Sequence, residues 1–249
     1  MDGGSSDATA PLVRRSNSRL IVAPGLRQAA AVNRGVAEAR GEIVLILNAD
    51  DVLEPGAVAA LVAGLQRDPD AVAVYGEAAH IAEDDRVIDR YPTQPFDPEA
   101  LRESCYICQP SAAVRRAGFD AIGGMDAGLD FAMDYDFWIR LSRYGRFSKI
   151  DELVAGSRMH ADNKTLARRG EVFREVMRIL RARFGYVPYT WTYAYASWLL
   201  HHDEPIFAQP RPTRTGVLLS LVLGLKLNPW QPLRYVGDWY AHRAVGRGS

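Results

Sequence analysis

Cysteine is scarce: Cys105 and Cys108 are the only two in 249 residues. Their C-x-x-C spacing suits a dithiol redox pair or half of a zinc site. No second pair completes a zinc site, and the flanking Gln109-Pro110 fits no redox pattern, so both read as free thiols in a reduced compartment. Long apolar runs are missing too. The run from Gly216 to Leu227 is interrupted by Ser220 and Lys226 and falls short of the about 20 residues that span a bilayer. Met1 to Ala10 has no apolar centre of the kind a secretory signal needs. Net charge is absent, with 30 basic and 30 acidic residues. That balance excludes a chain-wide electrostatic footprint for nucleic acid, and no nucleic-acid partner is expected.

What is present supports a buried core: 48% of residues are hydrophobic and 24% charged. The length suits one large domain, or one domain with an appendage. Charge is uneven along the chain. Acids crowd the first two thirds, and arginines and aromatics the last third.

The most informative stretch is GEIVLILNADDVLEP, from Gly41 to Pro55. Glu42 to Leu47 is short, apolar and β-branched, the pattern of a buried strand in a parallel sheet. It stops at Asn48, and Asp50 and Asp51 follow. Pro55 is suited to the first turn of a helix. Carboxylates at the carboxyl end of a buried strand stand where open α/β sheets bind ligands. The alternative, a helix cap, suits them poorly because Glu54 lies nearer the cap position.

Along the rest of the chain, Asp2 to Asp7 (DGGSSD) has turn chemistry. Arg19 to Ala23 reads as a short strand and Leu26 to Arg40 as a helix ended by Gly41. A helix is expected over Pro55 to Arg67, a strand over Ala71 to Tyr75, and a hairpin around Glu83-Asp84-Asp85. Gln109 to Gly124 reads as an extended piece and a short helix, Asp134 to Tyr144 as a helix, and Phe147 to Val154 as a strand. Helices alternating with buried strands imply βαβ units. Beyond Leu166 a helix over Glu171 to Phe184 precedes an aromatic stretch, a linker over His201 to Pro212 and the apolar Gly216 to Leu227. Two readings of this tail stay open: a helical appendage packed on the main domain, or a membrane-surface helix with an aromatic belt.

DGGSSD; a helix with Gln28, Asn33, Gly35 and Ala39; NADD; VYGE; QPSAAVRRAGFDAIGGMD; AMDYDFWIRL; and RMHADNKT occur in that order. Together they resemble a family-2 glycosyltransferase of the GT-A fold, of the bacterial type that builds surface polysaccharides, over roughly residues 2 to 165. The resemblance implies an α/β domain at 1–165, with a mixed, mainly parallel sheet flanked by helices, and a helical, aromatic-rich C-terminal extension at 166–249. In the family a strand, a helix and a second strand precede the segment equivalent to Asp2. The expectation is therefore an N-terminally truncated domain lacking its first two strands, with coding sequence upstream.

The implied function is inverting transfer of a sugar from a nucleotide-diphosphate donor to a glycan or lipid-linked acceptor in surface polysaccharide synthesis. The resemblance assigns Asp134 as the catalytic base; capping of its own helix is the competing role. Asp2, Gln28, Asn33, Asn48 and Asp50 are implied donor-binding residues. Asp50 and Asp51, with His160 as a further candidate, are implied ligands of Mn²⁺ or Mg²⁺. The neutral Asn48 departs from the strict D-x-D pattern. Arg158 and Lys164 offer charge against a diphosphate, and Asp136 reads as structural. The expected location is the cytoplasm, at the inner face of the plasma membrane, with peripheral contact through residues 216–240. The competing functions are a non-catalytic nucleotide-sugar- or glycan-binding remnant and a sugar nucleotidyltransferase. The latter wants a Gly- and Lys-rich phosphate loop near the N-terminus, which is not visible.

Overall fold

The computed structural model describes residues 1–160, 163–202 and 213–245, and resolves the chain into two compact units. The first comprises residues 1–96 and 107–158; the second comprises 97–106 and 159–249. The division expected from the sequence, 1–165 against 166–249, differs in the 97–106 stretch and in the position of the break. Most of the expected linker, residues 203–212, lies outside the described residues.

The first unit runs α1 (Thr9–Arg15), α2 (Gln28–Glu38), β1 (Ile43–Leu45), β2 (Val52–Leu53), α3 (Ala57–Arg67), β3 (Ala73–Ile81), β4 (Val87–Arg90), β5 (Ala112–Arg115), α4 (Arg116–Ala121), α5 (Met133–Tyr144) and β6 (Phe147–Arg158). The strands form one sheet in the order β1-β5-β3-β6-β2, with β4 paired to β3. The α/β class and mixed sheet hold, but the balance of strand directions is corrected. Among the described strands only β3 and β6 pair in parallel; β1–β5, β3–β5, β3–β4 and β2–β6 are antiparallel. The cause is non-local. The strand-helix-strand unit β1-α3-β3 does place two strands in the same direction, as its pattern predicts. β5, from much later in the chain, inserts between them and runs the opposite way.

Local elements also differ from expectation. The predicted strand at 19–23 yields only an isolated parallel bridge between Asp2 and Val22. Pro55 does not open a helix. Gly56 follows it at φ 83° and caps α3, which begins at Ala57. That left-handed value favours glycine. Val52 and Leu53 pair with Gly156 and Ala155.

The core follows from the apolar spacing of α3. Leu61 and Leu65, with Ala57, pack on Val74 of β3, Ala113 of β5 and Ile150 and Val154 of β6. α5 contributes a second buried face: Phe137 and Ile139 are fully buried, and Trp138 meets Phe147 edge-on at 6.1 Å. This packing fixes the strand ends from which the polar loops project.

The second unit is helical: α6 (Lys164–Ala167), α7 (Arg169–Phe184), α8 (Tyr189–Leu200), α9 (Arg214–Leu227) and α10 (Pro232–Val245). Its core is aromatic, with Tyr186, Tyr189, Tyr193, Tyr235 and Trp239 packed against Val217, Leu221 and Leu225. Buried phenols need partners. Tyr235 Oη donates to Ser220 O at 2.8 Å, and Tyr186 Oη to Asp238 Oδ2 at 2.9 Å. α9 approaches Tyr235 so closely that a Cβ at Gly224 would lie 1.7 Å from the ring carbon Cζ. Among the described residues no helix is long and apolar enough to cross a membrane.

Candidate active site

Asp50 and Asp51 lie on the short loop from β1 to β2. The loop is tied down on both sides, because β1 pairs with β5 and β2 with β6. Gln109, in the turn before β5, donates from Nε2 to Ile46 O at 3.1 Å and steadies the exit from β1.

Within the loop a chain of side-chain amides leads to a carboxylate. Gln28, the first residue of α2, donates from Nε2 to Asn48 Oδ1 at 2.9 Å, and Asn48 donates from Nδ2 to Asp51 Oδ2 at 2.9 Å. The other oxygen of Asp51 accepts from the backbone N of Arg158 at 3.0 Å. Burial pushes the Asp51 carboxyl above the ordinary carboxylate value, and these hydrogen bonds offset only part of the effect. Asn48 is therefore not a defective aspartate in this structure. Its amide supplies a donor to Asp51 where a carboxylate would supply repulsion.

Arg158, at the end of β6, binds the same loop from the other side. Its Nε donates to Asp50 O at 2.8 Å, and its Nη1 to Ala82 O at 2.7 Å and Glu83 O at 3.0 Å. Nη2 donates to Asp85 Oδ1 at 2.5 Å. Asp85 holds φ 66° at the tip of the β3–β4 hairpin. The guanidinium thus joins the aspartate loop to the hairpin. The sequence points to Arg158 only as free-standing charge, because its main partners are backbone carbonyls, which leave no trace in residue type.

Asp134 is the second residue of α5. Its Oδ1 accepts from Tyr135 N at 2.8 Å, and burial raises its carboxyl above the ordinary value. The nearby Asp136 is buried and held by Arg140 Nε at 2.7 Å, while Arg140 also donates to Ile122 O and Gly124 O. This ties α5 to the turn after α4 and makes Asp136 structural.

Two expected donor-binding residues have their polar atoms engaged elsewhere. Asp2 turns its carboxylate onto its own loop, accepting from Gly4 N at 3.3 Å and from the backbone and hydroxyl of Ser5. The Ser5 hydroxyl is the main reason its carboxyl sits below the ordinary value. Asn33 clamps one backbone position, with Nδ2 donating to Met125 O at 2.7 Å and Oδ1 accepting from Met125 N at 2.8 Å. The network described above brings together Gln28, Asn48 and Asp51 and the Asp50 backbone. His160 belongs to the second unit, where its carbonyl accepts from Asn163 N at 2.9 Å. The Lys164 side chain lies outside the described residues.

Among the described residues no three of histidine, cysteine, aspartate and glutamate cluster as a metal site. The donor set nevertheless fits a hard cation that keeps phosphate oxygens and waters in its shell. Asp51 accepts from Asn48 Nδ2, the Arg158 backbone N and the Ser157 side chain, and its two oxygens keep lone-pair capacity beyond these.

Residues 1–123 match the family model described as Glycosyl transferase family 2. A chondroitin synthase from Escherichia coli is 24% identical over 173 residues, 66% of this chain and 25% of the relative. The chain spans a quarter or less of the length of the curated relatives it matches. Among solved structures, S. aureus TarS 1–349 in complex with UDP aligns with a TM-score of 0.56 at 16% identity, covering 99% of this chain and 79% of that one. The mannosyltransferase PcManGT from Pyrobaculum calidifontis, in complex with GDP-Man and Mn²⁺, aligns with a TM-score of 0.53 at 18% identity, covering 96% of this chain and 75% of that one. Family match, relatives and fold agree: through residues 1–123 the chain belongs to glycosyl transferase family 2, and it is built on the GT-A fold.

Proposed function

We propose that the chain transfers a sugar from a nucleotide-diphosphate donor to a glycan or lipid-linked acceptor, with inversion, in surface polysaccharide synthesis. The observation that carries the proposal is the braced loop at the end of β1, where Gln28, Asn48 and Arg158 hold the Asp50–Asp51 segment. Relatives named as polysaccharide synthases, and similar folds with UDP or GDP-Man bound, support the donor and product class.

In this reading Asp134 accepts the proton of the acceptor hydroxyl as that oxygen forms its bond to the anomeric carbon. The bond from the anomeric carbon to the donor phosphate oxygen breaks, and its electron pair leaves with the nucleoside diphosphate. A base must be ionised yet basic, and a carboxyl raised by burial is a better proton acceptor than an exposed one. Asp50 and Asp51 would hold Mn²⁺ or Mg²⁺, whose charge stabilises the departing diphosphate when bound. Asn48 and Gln28 keep the Asp51 side of that loop in place, and Arg158 keeps the Asp50 backbone in place. Asn33 acts indirectly, by fixing the turn at Met125.

Residues 1–165 would carry the reaction. Residues 166–249 would make peripheral contact through 216–240 at the inner face of the plasma membrane. The test is a thermal-shift screen of nucleotide sugars with Mn²⁺, followed by turnover with the donor that stabilises the chain. Stabilisation by a nucleotide sugar, together with turnover lost in Asp134→Asn while donor binding persists, supports the reading. Equal, zero turnover in both proteins overturns it in favour of a binding protein.

A further inference from the structure

α9 turns its small residues inward, and both of the last two helices leave large apolar residues exposed on their outer side. In α9 the buried positions are Gly216, Ser220 and Gly224. On its other side Leu218 and Val222 are 62% and 63% exposed. α10 buries Tyr235 and Trp239 and displays Leu233, Val236 and Tyr240 at helical spacing, with Leu233 85% exposed. Trp230, in the turn between the helices, is 89% exposed. A helix bathed in water carries charge on its outer face. Small residues at the helix contact with aliphatic side chains facing out is the arrangement of helices in lipid. Each helix has 14 residues, too short to span a bilayer and long enough to lie along its surface.

Charge points the same way. From Thr213 to Val245 the bases Arg214, Lys226, Arg234 and Arg243 stand against one acid, Asp238. That acid faces inward, accepting from Tyr186 Oη and Tyr189 N. This segment is therefore basic in a chain whose net charge is zero.

A cavity of about 430 Å³ on α7 adjoins this face, lined by Arg174, Met177, Arg178, Arg181 and Leu227. Arg178 reaches Glu175 at 3.1 Å, whereas Arg174 and Arg181 have no ion pair among the described residues. Leu227 ends α9 three positions before Trp230. The intervening turn is fastened to the end of α7, through Asn228 to Val187 and Gln231 to Gly185. Guanidinium groups at the rim, with Met177 and Leu227 below, suit the phosphate of a headgroup and the start of its acyl chain.

We infer that the outer face of α9 and α10 docks on a bilayer bearing anionic phospholipid, and that the α7 cavity receives a headgroup of that lipid. A second copy of the chain is a poorer occupant, since two basic faces would oppose each other. The inference deepens the peripheral contact proposed above, but it is read without donor or turnover. Its failure therefore leaves the transfer reaction standing, and failure of that reaction leaves it standing.

The experiment is flotation of the full chain with vesicles of phosphatidylcholine alone, or of phosphatidylcholine with phosphatidylglycerol. Flotation with the anionic vesicles is expected, at least about tenfold weaker without phosphatidylglycerol and reduced by salt. Trp230→Ser with Leu233→Ser changes only outward positions. It should keep the native melting temperature and lose flotation about tenfold or more. Arg174→Gln with Arg181→Gln should remove most of the preference for phosphatidylglycerol. No flotation, equal flotation with both vesicle types, or native flotation of the Trp230–Leu233 variant overturns the inference. So does a dimer in vesicle-free solution that the same variant abolishes.

Discussion

Replacing Arg158 separates two roles for one guanidinium: charge directed at a diphosphate, or a clamp on the loop that holds it. Arg158→Ala removes the donors to the carbonyls of Asp50, Ala82 and Glu83 and to the Asp85 carboxylate. The Asp85 partner is 73% exposed, so that ion pair contributes little, about 0–1 kcal/mol. The partly buried contacts to Asp50 O and Ala82 O contribute about 1 kcal/mol each, and the exposed one to Glu83 O less. A total of about 2 kcal/mol would be lost, half of it from the aspartate loop through Asp50 O and half from the hairpin. If only the loop's share appears in binding, donor affinity in Mn²⁺ falls about fivefold, and about 30-fold if all of it does. The backbone bond from Arg158 N to Asp51 survives any substitution except proline, so the Asp51 side of the loop stays anchored. Arg158→Lys is the discriminating variant. It keeps the charge but loses the planar fork that serves four acceptors at once. Titration calorimetry of the donor with Mn²⁺ should find Lys nearly as weak as Ala. A Lys variant within about twofold of the native protein, beside a weak Ala variant, would refute the clamp and restore the charge role.

In Asn48→Asp a donor to Asp51 becomes a second carboxylate. The variant should melt several degrees lower, for a loss of about 1–2 kcal/mol, with Mn²⁺ restoring the difference; an unchanged melt in metal-free buffer would contradict the network. Asp134 has a raised carboxyl in the fold, so ionisation at neutral pH works against stability. That cost appears as pH rises through the folded value, and Asp134→Asn should melt higher at neutral pH while turnover drops about 10²- to 10⁴-fold. For the native enzyme, kcat/KM should fall on the acid side at a pH above the ordinary carboxylate value near 3.8, and a limb at or below it would argue against Asp134 as the base. Gly224→Ala places a methyl 1.7 Å from Tyr235 Cζ, in a ring fixed by Ser220; the loss should be about 3 kcal/mol or more, read by urea unfolding. Asn33→Ala removes both bonds to Met125 and should cost about 2 kcal/mol without changing metal affinity directly.

Local chemistry was legible and non-local pairing was not. The apolar run at Ile43 to Leu45 and the acids behind it announce a strand and a polar loop because both signals lie within a few residues. The α3 and α5 faces are equally plain from 3–4 spacing. The insertion of β5 between β1 and β3 leaves no such mark, since Ala112 to Arg115 reads as extended whatever its neighbours are. The site divides in the same way. Asp134 and Asp50–Asp51 stand out as residue types. The engagement of Asn33 with Met125 and of Arg158 with Asp50, Ala82 and Glu83 depends on backbone atoms of distant segments. Asn48 looked like a departure from a motif, and only its two amide partners show what the neutral group does.

The interposed β5 has a consequence for the order of assembly. Among the described residues, β1 pairs within the sheet only with residues 113–115, and β2 only with residues 155 and 156. The loop carrying Asp50 and Asp51 is thus strung between two strands whose partners are made long after it. During synthesis Asp51 precedes Arg158 by 107 residues, and until β6 emerges the loop has its Gln28–Asn48 ties but lacks the Arg158 clamp. Closing such distant pairings is slow compared with forming a helix. The aspartate loop should be the last part of the first unit to acquire protection from hydrogen exchange, after α3 and α5 have settled on β3.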